Sequence, residues 1–124
     1  MKKILCVDDN DFTAGLLRAR MEGRGNKFIR AKTADEASRL AEEEVPDLII
    51  SEILIPREED GFRFCQKLKA GRKTAKIPLV LLTARKKDPG ASFTYNSWAE
   101  EYIEKPFSPR ALFPRIEELL AQKK

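Results

Sequence analysis

The side chains able to do chemistry in this chain are few and restricted in type. Its 124 residues include no histidine, which removes the usual physiological-pH base and the commonest metal ligand together. Site chemistry therefore falls to carboxylates, lysine, serine and threonine. Five positions stand out: adjacent Asp8 and Asp9, Glu52 at the end of the apolar run in PDLIISEILIP, Thr83, and Lys105. Clustered carboxylates repel one another unless a cation or proton intervenes, and oxygen ligands suit Mg²⁺. A lysine adds a second positive charge, and a threonine hydroxyl adds a donor for an anion. Brought together, these groups are equipped to transfer a phosphoryl group onto a carboxylate.

Gathering them is the task of the surrounding elements. Lys3 to Val7 reads as a strand, and from Asp11 a helix places Phe12, Leu16 and Ala19 on one apolar face. Phe28 to Ala31 forms a second strand, and Thr33 to Glu36 a capping box that opens a helix burying Ala34, Ala37, Leu40 and Ala41. Leu48, Ile49 and Ile50 are apolar on both faces, as a central parallel strand must be. Phe62, Cys65 and Leu68 mark a third helix, and Pro78 to Thr83 a fourth buried strand. Between Arg85 and Ala99, Pro89 and Gly90 leave room for only a short or irregular helix. Glu101 to Glu104 is a fifth strand; Ser108 is the N-cap of a last helix with Pro109 at its first position and Leu112, Ile116, Leu119 and Leu120 as its stripe. Pro114 removes one hydrogen bond from that helix. Five βα units demand parallel strands, right-handed crossovers and helices on both faces, an α/β doubly wound sandwich. All five chemical positions fall at carboxyl ends of strands, where such sheets keep their functional crevice.

Composition narrows the classes. Hydrophobic residues at 42% and charged residues at 35% supply a core for one folded domain spanning residues 1–124. Asp8, Asp9 and Asp11 cut the opening apolar run too short for a signal peptide, and no run approaches the roughly 20 residues that cross a bilayer. The expectation is a cytoplasmic protein without membrane contact. The net charge of +4 comes with basic clusters at Arg72, Lys73, Lys76 and at Arg85, Lys86, Lys87 that lack interleaved aromatics. These read as solvated faces, so no direct nucleic-acid contact is expected. Cys6 and Cys65 have no CxxC spacing and read as buried free thiols.

With VDDN at Val7 to Asn10, the PDLII strand, LLTA at Leu81 to Ala84 and EYIEKPF at Glu101 to Phe107, the whole chain resembles the receiver domains of two-component response regulators. That resemblance implies a flavodoxin-like five-stranded sheet in the order 2-1-3-4-5. It implies an acid pair, here Asp8 and Asp9, that holds Mg²⁺ together with the phosphoacceptor position and a backbone carbonyl, here Glu52 and Leu54. It also implies Thr83 and Lys105 as phosphoryl contacts, Tyr102 as the switch aromatic, and a cis bond between Lys105 and Pro106. The partners implied are a sensor histidine kinase or other signalling protein and an output domain or downstream target. They would be met on the face of the fourth helix, fifth strand and fifth helix, where Tyr95 and Trp98 are candidate exposed anchors, with packing on the sheet as the alternative.

The chain departs from that pattern at its centre. Glu52 stands where the family has Asp, and IPREEDG has one residue more between Pro56 and Gly61 than the family's usual spacing. The extra methylene moves the carboxylate by up to about 1.5 Å, and a misplacement near 1 Å costs on the order of 10²-fold in a positioned reaction. The leading expectation is a pseudo-receiver, not an enzyme, that signals by protein contact. One alternative is a phosphorylatable receiver using Glu52 or a neighbour such as Ser51, Glu58 or Asp60. A small phosphotransfer or phosphatase enzyme on the same sheet is another. For the cation, Mg²⁺ on Asp8, Asp9, Glu52 and Leu54 competes with a direct Lys105–Glu52 ion pair.

Overall fold

A computed structural model describes residues 1–122; the charged chain end at Lys123 and Lys124 lies outside the described residues. Five strands, β1 (Lys3–Val7), β2 (Lys27–Ala31), β3 (Leu48–Ser51), β4 (Leu79–Thr83) and β5 (Glu101–Glu104), alternate with five helices. These are α1 (Asp11–Gly23), α2 (Ala34–Glu44), α3 (Glu58–Ala70), α4 (Ala91–Trp98) and α5 (Pro109–Ala121). All strands are parallel, in the order β2-β1-β3-β4-β5.

Strand register sets up the site. Val7 pairs with Ser51, and Ser51 with Leu81, while Thr83 pairs with Glu104. The next residues are therefore neighbours as well, which brings Asp8 beside Glu52 and Lys105 beside Ala84, one step past Thr83. The ladder continues one step past the strands to fix them: Glu52 N–H donates to the Val7 carbonyl at 2.8 Å, and Lys105 N–H to the Thr83 carbonyl at 2.7 Å.

Side chains alternate across the strands into two apolar layers. Ile4, Cys6, Leu48, Ile50, Val80 and Leu82 pack under α1 and α5; Leu5, Val7, Ile49, Leu79 and Leu81 pack under α2, α3 and α4. Each fully buried Ile or Leu contributes about 1.5–3 kcal/mol, and β3 is buried along its whole length.

The expected face of α1 is corrected. Thr13, Ala14, Leu17 and Met21 are buried, whereas Phe12 is 75% and Leu16 44% exposed and Ala19 is exposed too. Asn10 decides the phase: its side chain accepts the Thr13 N–H at 2.9 Å and caps the helix. Thr33 likewise accepts the Glu36 N–H at 3.1 Å, but Glu36 returns its bond to the Lys32 N–H, so the capping box closes one residue early. Ser108 occupies the N-cap of α5 without a side-chain cap bond, and Pro114 sits inside that helix. The Lys105–Pro106 bond is cis as the resemblance implied, and Ile55–Pro56 is cis as well.

The additional residue after β3 is absorbed ahead of Gly61. A Cβ at that glycine would overlap the Ile53 carbonyl, so the first turn of α3 is pinned against the end of β3. Arg57 is its N-cap, with the Asp60 carboxylate accepting the Arg57 N–H at 3.2 Å.

Candidate functional site

Asp8, Glu52, Thr83 and Lys105 converge at the carboxyl edge of the sheet. Glu52 is 4% exposed, and its carboxylate is saturated. Oε2 accepts the Ile53 N–H at 2.7 Å, the Leu54 N–H at 3.0 Å and the Thr83 hydroxyl. Oε1 accepts the Ala84 N–H at 3.1 Å and lies 3.1 Å from Lys105 Nζ. The same ammonium is 2.9 Å from Asp8 Oδ2, and Asp8 Oδ1 accepts the Asn10 N–H at 2.9 Å.

Burial and bonding pull these groups in different directions. Burial alone would raise the Glu52 pKa, but bonds from Thr83, Leu54 and Ala84 and the Lys105 charge outweigh it and hold the carboxyl below its ordinary range. At Asp8 burial prevails over Lys105 and the Asn10 amide, and the pKa is raised. Burial would lower the Lys105 pKa, yet its two acidic neighbours raise it. Lys105 is thus a cation held between two acids, closer to Asp8 at 2.9 Å than to Glu52 at 3.1 Å.

This arrangement does not fit Mg²⁺. Both facing carboxylate oxygens of Asp8 and Glu52 are on the ammonium, and Asp9 is exposed. Among the described residues no group of three or more acids, cysteines or histidines is placed to hold a metal, whereas Mg²⁺ demands near-octahedral oxygen geometry. Of the alternative acceptors, Ser51 is buried with its hydroxyl on the Glu52 carbonyl at 3.0 Å, Glu58 pairs with Arg85 at 2.7 Å, and Asp60 caps α3.

Tyr102 lies one step behind the site, 5% exposed. Its hydroxyl donates to the Arg85 carbonyl at 2.9 Å and accepts from Arg85 Nη1 at 2.8 Å. Arg85, expected on a solvated face, is instead 8% exposed; Glu58 and Asp88, each at 2.7 Å, pair its guanidinium from the solvent side while remaining partly exposed themselves. Tyr95, expected as an exposed anchor, is fully buried under the Arg85 guanidinium, 5.0 Å from its ring. Trp98 is partly buried against Phe62, with centroids 5.1 Å apart; the exposed aromatic of α4 is Phe93, at 76%. The Arg85 cluster escaped the sequence reading, although an acid three residues on, Asp88, and a second in the lengthened loop were available signals.

An acid after β1, a carboxylate after β3, a hydroxyl after β4 and a lysine after β5 of a doubly wound sheet define the receiver module of two-component signalling. The profile of the response regulator receiver domain matches residues 4–117, and the chain belongs to that family. It is 34% identical over 119 residues to the alkaline phosphatase synthesis transcriptional regulatory protein PhoP of Bacillus subtilis, covering 96% of this chain and 48% of that protein. To the phosphate regulon transcriptional regulatory protein PhoB of Rhizobium meliloti it is 30% identical over 124 residues, covering 100% of this chain and 54% of that protein. The chain thus spans about half the length of the curated relatives it matches. Among solved structures it is similar to a putative response regulator from Chloroflexus aurantiacus, with TM-score 0.83 and 30% identity over 98% of each chain. The BeF3-activated receiver domain of Klebsiella pneumoniae RstA is similar too, with TM-score 0.82 and 28% identity over 97% of this chain and 99% of that one.

Proposed function

We propose that this receiver is a pseudo-receiver, a two-component signalling module that works by protein contact without an Asp-phosphate switch. One observation carries the reading: the Glu52 carboxylate holds the Thr83 hydroxyl and the Lys105 ammonium at once, the two donors that family resemblance assigns to a phosphoryl group, and the Ala84 N–H with them. Glu52 supplies one negative charge and two oxygens where a phosphoryl group supplies about two charges and three oxygens. The site is therefore engaged permanently, with Lys105 in place of Mg²⁺ as its cation. The module acts in the cytoplasm as a non-enzyme. Its partners are a sensor histidine kinase or another signalling protein, and an output domain or downstream target, rather than nucleic acid or membrane; among the described residues no helix is long and apolar enough to cross a membrane.

Intact mass after incubation with Mg²⁺ and a small-molecule phosphodonor tests this, beside a Glu52→Asp variant. The natural protein stays unmodified and the variant gains a phosphoryl group. Stoichiometric phosphorylation of the natural protein overturns the reading in favour of a phosphoacceptor.

A further inference from the structure

We infer that Glu58, the first residue of α3 at the end of the lengthened loop, is a positioning residue for the Glu52 site, acting through Arg85. This rests on the pseudo-receiver reading and adds a second acid to it: the longer loop and the Asp-to-Glu change form one device.

Arg85 touches both residues that flank the site. Its backbone N–H donates to Thr83 Oγ1 at 3.0 Å while the Thr83 hydroxyl donates to Glu52. Its carbonyl and its guanidinium hold the Tyr102 hydroxyl from two sides, at 2.9 and 2.8 Å. The placement of Thr83, of the Ala84 amide on Glu52 and of Tyr102 therefore depends on where Arg85 is fixed.

What fixes Arg85 is its side chain, because a guanidinium with only 7% of its side-chain surface exposed must be paired. Nε goes to Glu58 Oε2 at 2.7 Å and Nη2 to Asp88 at 2.7 Å. Asp88 belongs to the same β4–α4 loop, three residues away, and moves with it. Nη1 reaches the neutral hydroxyls of Ser92 on α4 at 3.1 Å and Tyr102 on β5 at 2.8 Å, but Glu58 is the charged tie to a different element, and Tyr95 strengthens it by donating its hydroxyl to the same Oε2 at 3.3 Å. Pinning of Gly61 against Ile53 gives α3 a rigid start, so Glu58 is an anchored post rather than a loose loop acid.

Amide hydrogen exchange on the unmodified, donor-free protein tests this. Glu58→Ala speeds exchange of the Ala84 and Arg85 amides at least about fivefold relative to the core amide of Leu5, and shifts the Tyr102 resonances. Glu59→Ala, an exposed neighbour, does neither. Glu58→Gln, which keeps the shape, gives a smaller change of the same sign and serves if the alanine variant folds poorly. Equal acceleration at Ala84, Arg85 and Leu5, with Tyr102 unshifted, would mean that Glu58 only stabilises the fold and would overturn the inference. Phosphorylation is absent from this assay, so failure here and failure of the pseudo-receiver reading are separate results.

Discussion

Lys105 Nζ stands 3.1 Å from Glu52 Oε1, and the pair closes a bridge between the ends of β3 and β5. Asp8 shares the ammonium, and both acids are almost without solvent access. Removing one partner of a buried pair leaves charge uncompensated, at about 3–5 kcal/mol. Lys105→Met is expected to lose that much in urea denaturation, and adding Glu52→Gln to the same protein is expected to recover part of it.

Acid titration separates the two carboxylates. The Glu52 pKa lies below its ordinary 4.5 in the folded protein, so the stability it contributes is complete above 4.5 and is lost as pH falls through the lowered value. Asp8, with its raised pKa, has the opposite sign and takes up its proton more readily folded than unfolded. In denaturation from neutral to acid pH, Glu52→Gln should show a shallower falling limb below 4.5 than the natural protein, the remainder coming from Asp11, Asp60 and Glu104, whose carboxyls are also held low by their partners.

Two glycine substitutions should move stability in opposite directions. Gly61→Ala drives a methyl group into the Ile53 carbonyl, an overpacking that costs about 1–3 kcal/mol or more. Gly15 lies exposed within α1 with open space around it, and Gly15→Ala is expected to gain roughly 0.5–1 kcal/mol. Thermal unfolding of the two variants measures both.

Millimolar Mg²⁺ should leave the Asp9 and Ala84 amide resonances of the natural protein in place. Lys105→Ala removes the competing cation from Asp8 Oδ2 and Glu52 Oε1, so that variant should respond to the same titration. A response of equal size in both proteins would return the site to the metal.

The fold was legible because β3 and β4 are apolar on both faces and the βα alternation leaves one architecture, and the site followed because its polar residues end those strands. The readings that failed depended on distant partners. Phe12, Leu16 and Ala19 make as regular a stripe as Ala14, Leu17 and Met21, and only the Asn10 cap and the sheet choose between them. Arg85 reads as one of three adjacent basic residues, and nothing local announces that Glu58 will reach it from 27 positions away. Tyr95 is covered by that same arginine, so one misplaced residue misplaced another.

Cys6 and Cys65 are packed in opposite layers, with the whole sheet between them, and burial pushes both thiols up to about 12. Neither is a nucleophile at neutral pH, and the two cannot meet while the sheet stands. Each is therefore a silent recorder of its own layer: a thiol reagent reaches Cys6 only when α1 and α5 lift away, and Cys65 only when the α3 side opens. Comparing their labelling rates would show whether the two halves of the sandwich breathe together or apart.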